Sequence, residues 1–235
     1  MNLAVMQPYI FPYIGYFQLL HAADTFVFFN DVQYKRRSYI SRNAILVNDK
    51  AWSFSVPTQK ADRQSLIKDI QLHTSEFENW RDKFLKTIEH SYNKAPYFNE
   101  VMALVTSVLD TSHPGIGKLA EESIRAVASY LNIGVQFKES AQLEYAPDGD
   151  GQDKIIAICK LLGAHRYINA INGRKLYKQE TFKQEDIELA FIDSDVRPYQ
   201  QSSSAFVSHL SILDMMMYLN PEELRDHLQN YNLLT

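Results

Sequence analysis

The sequence predicts an α/β fold built on a parallel sheet of about five strands. Three observations carry that expectation. Short continuous apolar runs, Leu3-Ala4-Val5-Met6 and Thr25-Phe26-Val27-Phe28-Phe29, have the pattern of strands covered on both faces. Strand-like runs alternate with helix-length segments along most of the 235 residues. The first thirty residues read strand, loop, helix, strand, which is the unit of a parallel crossover.

In chain order, the first strand is predicted at 3–6. Pro8 and Pro12 then force an extended loop, since each removes a donor and disfavours helix at the residue before it. Gly15 to Ala23 is apolar enough for a helix, and the second strand follows at 25–29. Ala44 to Val47 and Trp52 to Val56 flank Asn48-Asp49-Lys50 as a hairpin. Ser75-Glu76-Phe77-Glu78 has the spacing of a capping box. Phe77, Trp80, Phe84 and Ile88 then recur at helical spacing up to about Tyr92. After Pro96 another helix runs to about Asp110, Pro114-Gly115 is a turn, and Ala120, Ile124, Val127 and Leu131 form one apolar stripe. Strands are expected at 133–137, 166–170 and 187–192. Between the first two of these, Ala146 to Gly151 is a loop and a helix runs to Leu162, closed by Gly163. Two short helices split by Pro221 end the chain. The whole reads as one Rossmann-like domain over 1–235 with a mostly helical insertion at about 75–131.

Composition excludes several classes. With 46% apolar and 22% charged residues, the chain is neither disordered nor a disulfide scaffold. Its net charge of −4 gives no overall attraction to nucleic acid, so no such partner is predicted. Cys159 has no partner for a disulfide, which suits a reducing compartment, and its apolar mid-helix setting reads as a buried, inert thiol. The start has no basic residue and breaks at proline, and no apolar run approaches the roughly 20 residues of a membrane span. The expectation is a cytoplasmic protein without membrane insertion; the oligomeric state is not legible. Seven histidines are scattered without ligand spacing, so no metal is expected.

The aromatic content is uneven. Residues 1–60 hold 12 of the Tyr, Phe and Trp side chains, and carry six Lys or Arg against three Asp, a balance of +3. The remainder has 18 basic and 25 acidic side chains, a balance of −7. Ligands of parallel α/β sheets bind at the carboxyl ends of the strands, and that rule selects three loops. In the first, Gln7 to Gly15, the glycine lets a ligand approach the start of the next helix, where free N–H groups favour an anion. Tyr9, Phe11 and Phe17 read as core, whereas Tyr13 and Tyr16 are less easily explained by burial. In the second, Asn30 to Asn43, Asp31 is a candidate base or cation ligand, and Tyr34 offers a hydroxyl. Arg42 is a donor suited to phosphate or carboxylate, and Asn43 gives and accepts at once. The run Lys35 to Arg37 reads as solvated surface. In the third, Asn169 is expected to face the same cleft, and Asn172-Gly173 marks a turn. His90 is a further candidate base, and Gln7, Tyr92 and Asn172 are further candidate substrate-binding residues. Ser211 is read as a helix cap, with Asp214 in a structural role three residues on.

Met6 to Phe17, followed by Asp24-Thr25-Phe26-Val27 and Asp31-Val32-Gln33-Tyr34, resembles the opening of the WbqC-like family. Arg42-Asn43, Tyr92 with Lys94-Ala95-Pro96-Tyr97-Phe98, Tyr167-Ile168-Asn169, Leu176-Tyr177 and Leu210 to Asp214 extend the likeness down the chain. That family occurs in bacterial surface-polysaccharide gene clusters, including those for O-antigen. The resemblance implies a transferase forming an amide on a nucleotide-linked amino sugar from an activated acyl or aminoacyl donor. In that reading Asp31 or His90 deprotonates the amine, Tyr13, Tyr16 and Asn43 orient the acyl carbonyl, and Arg42 holds phosphate.

A second resemblance concerns fold. Tyr13-Ile14-Gly15-Tyr16 stands where nucleotidylyltransferases and pantothenate synthetases place a His-x-Gly-His motif, and Asn30 to Tyr34 is similar to a second segment of the synthetases. This implies a nucleotidylyltransferase-like sheet and admits ATP as a substrate. Tyrosine in place of both histidines is a weaker partner for phosphate charge. A ligase using ATP and a non-catalytic sugar-binding module therefore stay open beside the transferase.

Overall fold

The computed structural model of the chain describes residues 1–110, 114–145 and 149–235. His113, and Ala146 to Asp148 of the predicted loop, lie outside the described residues. The central sheet has six strands: β1 (Asn2–Met6), β2 (Thr25–Phe28), β5 (Gln136–Glu139), β6 (Arg166–Ala170), β7 (Glu188–Ser194) and β8 (Tyr231–Leu234). Their order across the sheet is β5-β2-β1-β6-β7-β8, with every pairing parallel except the antiparallel β7–β8. The strand order therefore reverses between β1 and β6. A separate antiparallel hairpin is formed by β3 (Arg42–Val47) and β4 (Lys50–Ser55).

Both faces of β1 are buried, which explains its unbroken apolar run. Leu3 and Val5 pack with Ile155, Ile158 and Cys159 of α5 (Gly151–Leu162), together with Tyr167, Phe182 and Leu189. Ala4 faces the other way, in a larger core with Leu20 of α1 (Ile14–Ala22), Phe26 and Phe28. That core continues through α2 (Thr74–Tyr92), α3 (Phe98–Leu109) and α4 (Ile116–Tyr130), and through α7 (Ile212–Tyr218) and α8 (Pro221–Leu228). Burial pushes the Cys159 thiol up to about 12, so it is protonated at neutral pH. No helix among the described residues is long and apolar enough to cross a membrane.

The predicted α/β fold on a mostly parallel sheet is present, with six strands where about five were expected, and the structure corrects details. The third strand of the sequence reading lies at Gln136–Glu139 rather than 133–137. A short crossover helix, α6 (Gln179–Gln184), and the terminal strand β8 were not predicted. Helix α2 starts at Thr74 behind His73 with no side-chain cap, so the Ser75–Glu78 box does not form. Capping boxes form instead at Asp150/Asp153 and Asn220/Glu223. Asn172-Gly173 lies within a 3-10 turn, Ile171–Leu176. The hairpin turn is as expected: Asn48 and Asp49 both have positive φ, 49° and 61°, which matches the twist of the flanking strands.

Asp214 is a structural hub. It is fully buried and accepts hydrogen bonds from Tyr92 (2.7 Å), Tyr199 (2.6 Å) and Gln201 (2.7 Å). These tie α7 to α2 and to the segment after β7. Burial nevertheless raises its carboxyl above the ordinary 3.8. Between that value and the raised one, the folded state keeps a proton the unfolded chain has released. The contribution of this group is therefore complete at low pH and is lost as pH rises through the raised value. Asp214→Ala, which takes the acceptor from the Tyr92 and Tyr199 hydroxyls while Gln201 keeps the Val207 carbonyl, is expected to cost about 3 kcal/mol in urea unfolding. Asp214→Asn should cost less and abolish the loss of stability that this group adds as pH rises through its raised value. Equal losses, or an unchanged pH profile, would contradict this role.

Candidate functional site

The loop after β1 sets the site. Phe11 is buried and left-handed, with φ 39°. Its N–H donates to Ser123 Oγ (3.0 Å), and its carbonyl accepts from Asn43 Nδ2 and Ser211 Oγ, both at 2.7 Å. Asn43 Nδ2 also reaches the Ile10 carbonyl (3.1 Å). The loop is thus tied to α4, to β3 and to the start of α7. It bends over the carboxyl end of β1 and delivers Tyr13 as the residue preceding α1.

Beside it lies a cavity of ≈ 590 Å³, within the range of small-molecule sites. It sits where the strand order reverses, the position at which open α/β sheets bind ligands. Its β1 side is made by Met6, Gln7, Tyr9, Tyr13, Gly15 and Tyr16. Phe29, Lys35 and Tyr39 contribute from the loop after β2, and Asn43 from the hairpin. Across from β1, Asn169, Asn172, Leu176 and Tyr177 contribute from the end of β6 onward, with Asp150 and Gln152 from the start of α5. Two smaller cavities, at Arg197/His227 (≈ 430 Å³) and at Gln179/Leu189 (≈ 310 Å³), lie away from the carboxyl ends of β1 and β6.

The tyrosines are neutral hydroxyls. Tyr16 is buried and its hydroxyl donates to the Gln7 carbonyl (2.9 Å); burial holds its pKa well above the usual 10. It therefore buttresses the wall and is unsuited to be a base. Tyr9 stacks obliquely on Tyr16 and on Tyr39, each at 5.7 Å between ring centres. Burial also raises Tyr13, while the Ser194 hydroxyl beside it acts in the opposite direction. Gly15 is required by this packing: a methyl carbon there would lie 2.5 Å from Tyr13 Cε2 and 2.7 Å from Ser194 Oγ.

Asn169 works through its neighbours. Its Nδ2 donates to the hydroxyls of Tyr167 (3.0 Å) and Tyr177 (3.1 Å), and its Oδ1 accepts from the Ala170 N–H (2.7 Å). The Tyr167 proton goes to the Val5 carbonyl. The Tyr177 proton is then left for Tyr167 or for a ligand in the cavity. Two helix N-termini border the same space. That of α5 is capped by the Asp150 carboxylate, whereas that of α1 has neither a side-chain cap nor an acidic residue in its first turn. An anion is favoured at α1 and disfavoured at α5.

The structure brings together Gln7, Tyr13, Gly15, Tyr16, Asn43, Asn169 and Asn172 of the predicted set. It places five others outside the cavity. Asp31 accepts from Ser140 and from Tyr145 (2.6 Å), which occupies both its oxygens in joining the end of β2 to the segment after β5. Tyr34 is buried with its hydroxyl on Ser41 (3.0 Å). Tyr92 is buried in the Asp214 hub and accepts from the Leu46 N–H (2.8 Å). Arg42 and His90 are exposed, on β3 and α2, and neither lines the cavity. Sequence reasoning missed Asp150, Gln152 and Tyr39, used Tyr177 only in a resemblance, and assigned Lys35 to the solvated surface. The Asp150-x-x-Asp153 spacing is a capping-box signal that would have placed a helix start at this loop.

Comparison with known proteins gives a family. The model of the WbqC-like protein family matches residues 7–226. An uncharacterized protein of Mycobacterium tuberculosis is 26% identical over 225 residues, covering 94% of this chain and 95% of that one. No solved structure matches.

The Gly15 packing is testable. Gly15→Ala should destabilise the fold by about 1–3 kcal/mol through overpacking. Combined with Tyr13→Ala, which removes the ring and leaves only the rotatable Ser194 hydroxyl in the way, the loss should be markedly less than the sum of the two. Simple additivity in a double-mutant cycle would contradict the packing described.

Proposed function

The chain belongs to the WbqC-like protein family, and from that premise we propose that it binds a nucleotide-linked sugar between the carboxyl ends of β1 and β6 and transfers an acyl or aminoacyl group to it in surface-polysaccharide synthesis. The observation that carries this reading is the composition of the cavity at the strand-order reversal. Asn172, Gln152 and the Tyr13 and Tyr177 hydroxyls are groups that donate and accept together, which is what a sugar's hydroxyls require. The ring faces of Tyr9 and Tyr39 suit the apolar face of a sugar or a base. Lys35 and the uncapped start of α1 favour the phosphates.

The lining also bears on the reaction class. No serine, cysteine or histidine contributes to it among the described residues, and the Cys159 thiol is buried and protonated. Direct attack of the sugar amine on an activated donor therefore suits the site better than a covalent enzyme intermediate. The Tyr13 and Tyr177 hydroxyls are the donors available to a developing oxyanion.

Calorimetric titration with nucleotide-linked sugars tests the binding half of the proposal, with ATP–Mg²⁺ in a parallel arm. Lys35→Ala and Tyr177→Phe should each weaken nucleotide-sugar binding about tenfold, equivalent to ~1.4 kcal/mol. Arg42→Ala and His90→Ala should leave it within about twofold, since neither side chain lines the cavity. Binding of ATP–Mg²⁺ alone, or loss of binding on Arg42→Ala, would contradict the proposal.

A further inference from the structure

Two segments border the main cavity from either side of β1. Lys35-Arg36-Arg37-Ser38-Tyr39 follows β2, and Arg174-Lys175-Leu176-Tyr177-Lys178 follows β6. The two carry the same pattern. Each has three basic side chains, all exposed, and no acidic one, in a chain whose net charge is −4. None of these cations forms an ion pair with a side chain among the described residues. Each segment also holds a large apolar side chain out to solvent. Leu176 is 71% exposed and Tyr39 56%, the two highest values for large apolar side chains among the described residues. Both belong to the cavity lining, so they mark its mouth. The segments are anchored. The Tyr39 carbonyl accepts from the Ile10 N–H (3.0 Å), Arg36 Nη2 donates to the Ala61 carbonyl (3.2 Å), and the Lys178 N–H donates to Gln152 Oε1 (2.6 Å). A surface that serves solubility alone mixes both signs of charge and keeps apolar side chains down, so one-signed charge with fixed apolar groups at an opening marks an interaction surface.

The occupant must be acidic and must reach into the cavity. Lys35 and the start of α1 serve the phosphates of the nucleotide sugar. The other five cations stand outside the lining and are left for a partner that stays outside. We propose that the mouth docks an acidic carrier protein that delivers the acyl group as a thioester on a phosphopantetheine arm. The outer cations meet the carrier's carboxylates, Leu176 and Tyr39 flank the arm, and the thioester enters the cavity. This deepens the acyl-transfer reading and rests on it, naming the donor as a protein-bound thioester. The sugar amine attacks the thioester carbonyl: the N–C bond forms, the C–S bond breaks, and one proton of the neutral amine leaves with the carrier's thiol. A free coenzyme thioester is a poorer occupant, because it has one phosphate-bearing end and the cations stand on both sides of the mouth. A lipid surface is poorer too. Elements that lie on lipid present a continuous apolar face, whereas here single apolar side chains stand among cations on a chain of net negative charge.

Fluorescence anisotropy of a labelled type II acyl carrier protein in its octanoyl form, titrated with the full chain, tests the proposal. Binding should be saturable and should weaken at least about fivefold between about 50 and 300 mM NaCl. Arg36→Glu/Arg37→Glu and Arg174→Glu/Lys175→Glu should each weaken it about tenfold or more. Lys83→Glu/Lys86→Glu, the same change of charge on exposed positions of α2, should leave it within about twofold. Calorimetric titration of the same variants with UDP-glucosamine in about 300 mM NaCl, where outer charges are screened, should stay within about threefold of the unaltered protein. Three results would overturn the proposal: no binding of the carrier, undiminished binding after either mouth reversal, or equal loss in the α2 variant. Octanoyl-coenzyme A bound through these cations in place of the carrier would assign them to a free nucleotide. Cosedimentation with phosphatidylglycerol vesicles in place of carrier binding would assign them to lipid, and either result also overturns it. The two readings fail separately. Binding of UDP-glucosamine without the carrier removes this inference alone. Binding of the carrier at these residues without UDP-glucosamine supports the docking surface and removes the acceptor assignment.

Discussion

The left-handed clamp at Phe11 is the constraint on which the candidate site depends. A buried phenylalanine at φ 39° costs on the order of 1–3 kcal/mol, and such strain persists only where the surroundings over-determine it. Here Ser123, Asn43 and Ser211 hold its N–H and carbonyl from three separate elements. The consequence is geometric. The loop turns back over the carboxyl end of β1 instead of running outward, so Gln7, Tyr9 and Tyr13 become one wall of the cavity. The hairpin, α4 and α7 are thereby joined to the carboxyl edge of the sheet through backbone atoms of a single residue.

A division of labour among polar side chains follows. Asp31, Tyr34, Tyr92 and Asp214 satisfy one another or nearby donors inside the protein, and each lies outside the main cavity. Gln7, Tyr13, Asn172 and Tyr177 face the cavity, supported from behind by Tyr16 and Asn169. Buried polar groups need partners, and a network that is complete leaves nothing for a ligand. Residue type does not separate the two sets, since both contain tyrosines. What separates them is which element of the tertiary fold supplies the partner.

This is also why the sequence was legible for the fold and less so for the site. Strands β1 and β2 announce themselves because burial on both faces demands nearly unbroken apolar runs. Helix α2 does so because one face alone is buried, at Phe77, Phe84 and Ile88. Strand β5, by contrast, is an edge of alternating exposure, Gln136-Phe137-Lys138-Glu139, and β8 is mostly exposed, so neither carries that signature. The rule that ligands sit at strand carboxyl ends found the right loops. It did not separate Asn43 from Arg42, adjacent residues that β3 points to opposite faces, one into the loop clamp and one into solvent. Nor did it reach Asp150, which enters the cavity from the start of a helix after a different strand.

The central claim is that the reversal of strand order between β1 and β6, closed over by the clamped loop, is where this protein meets its small-molecule ligand. The most direct measurement is a crystal structure of the complex with a nucleotide-linked amino sugar. The account predicts the sugar between Gln7 and Tyr177, with the phosphates toward Lys35 and the start of α1. Density for the ligand at the Arg197/His227 cavity, or on the exposed Arg36–Arg37 surface with the main cavity left to solvent, would contradict it.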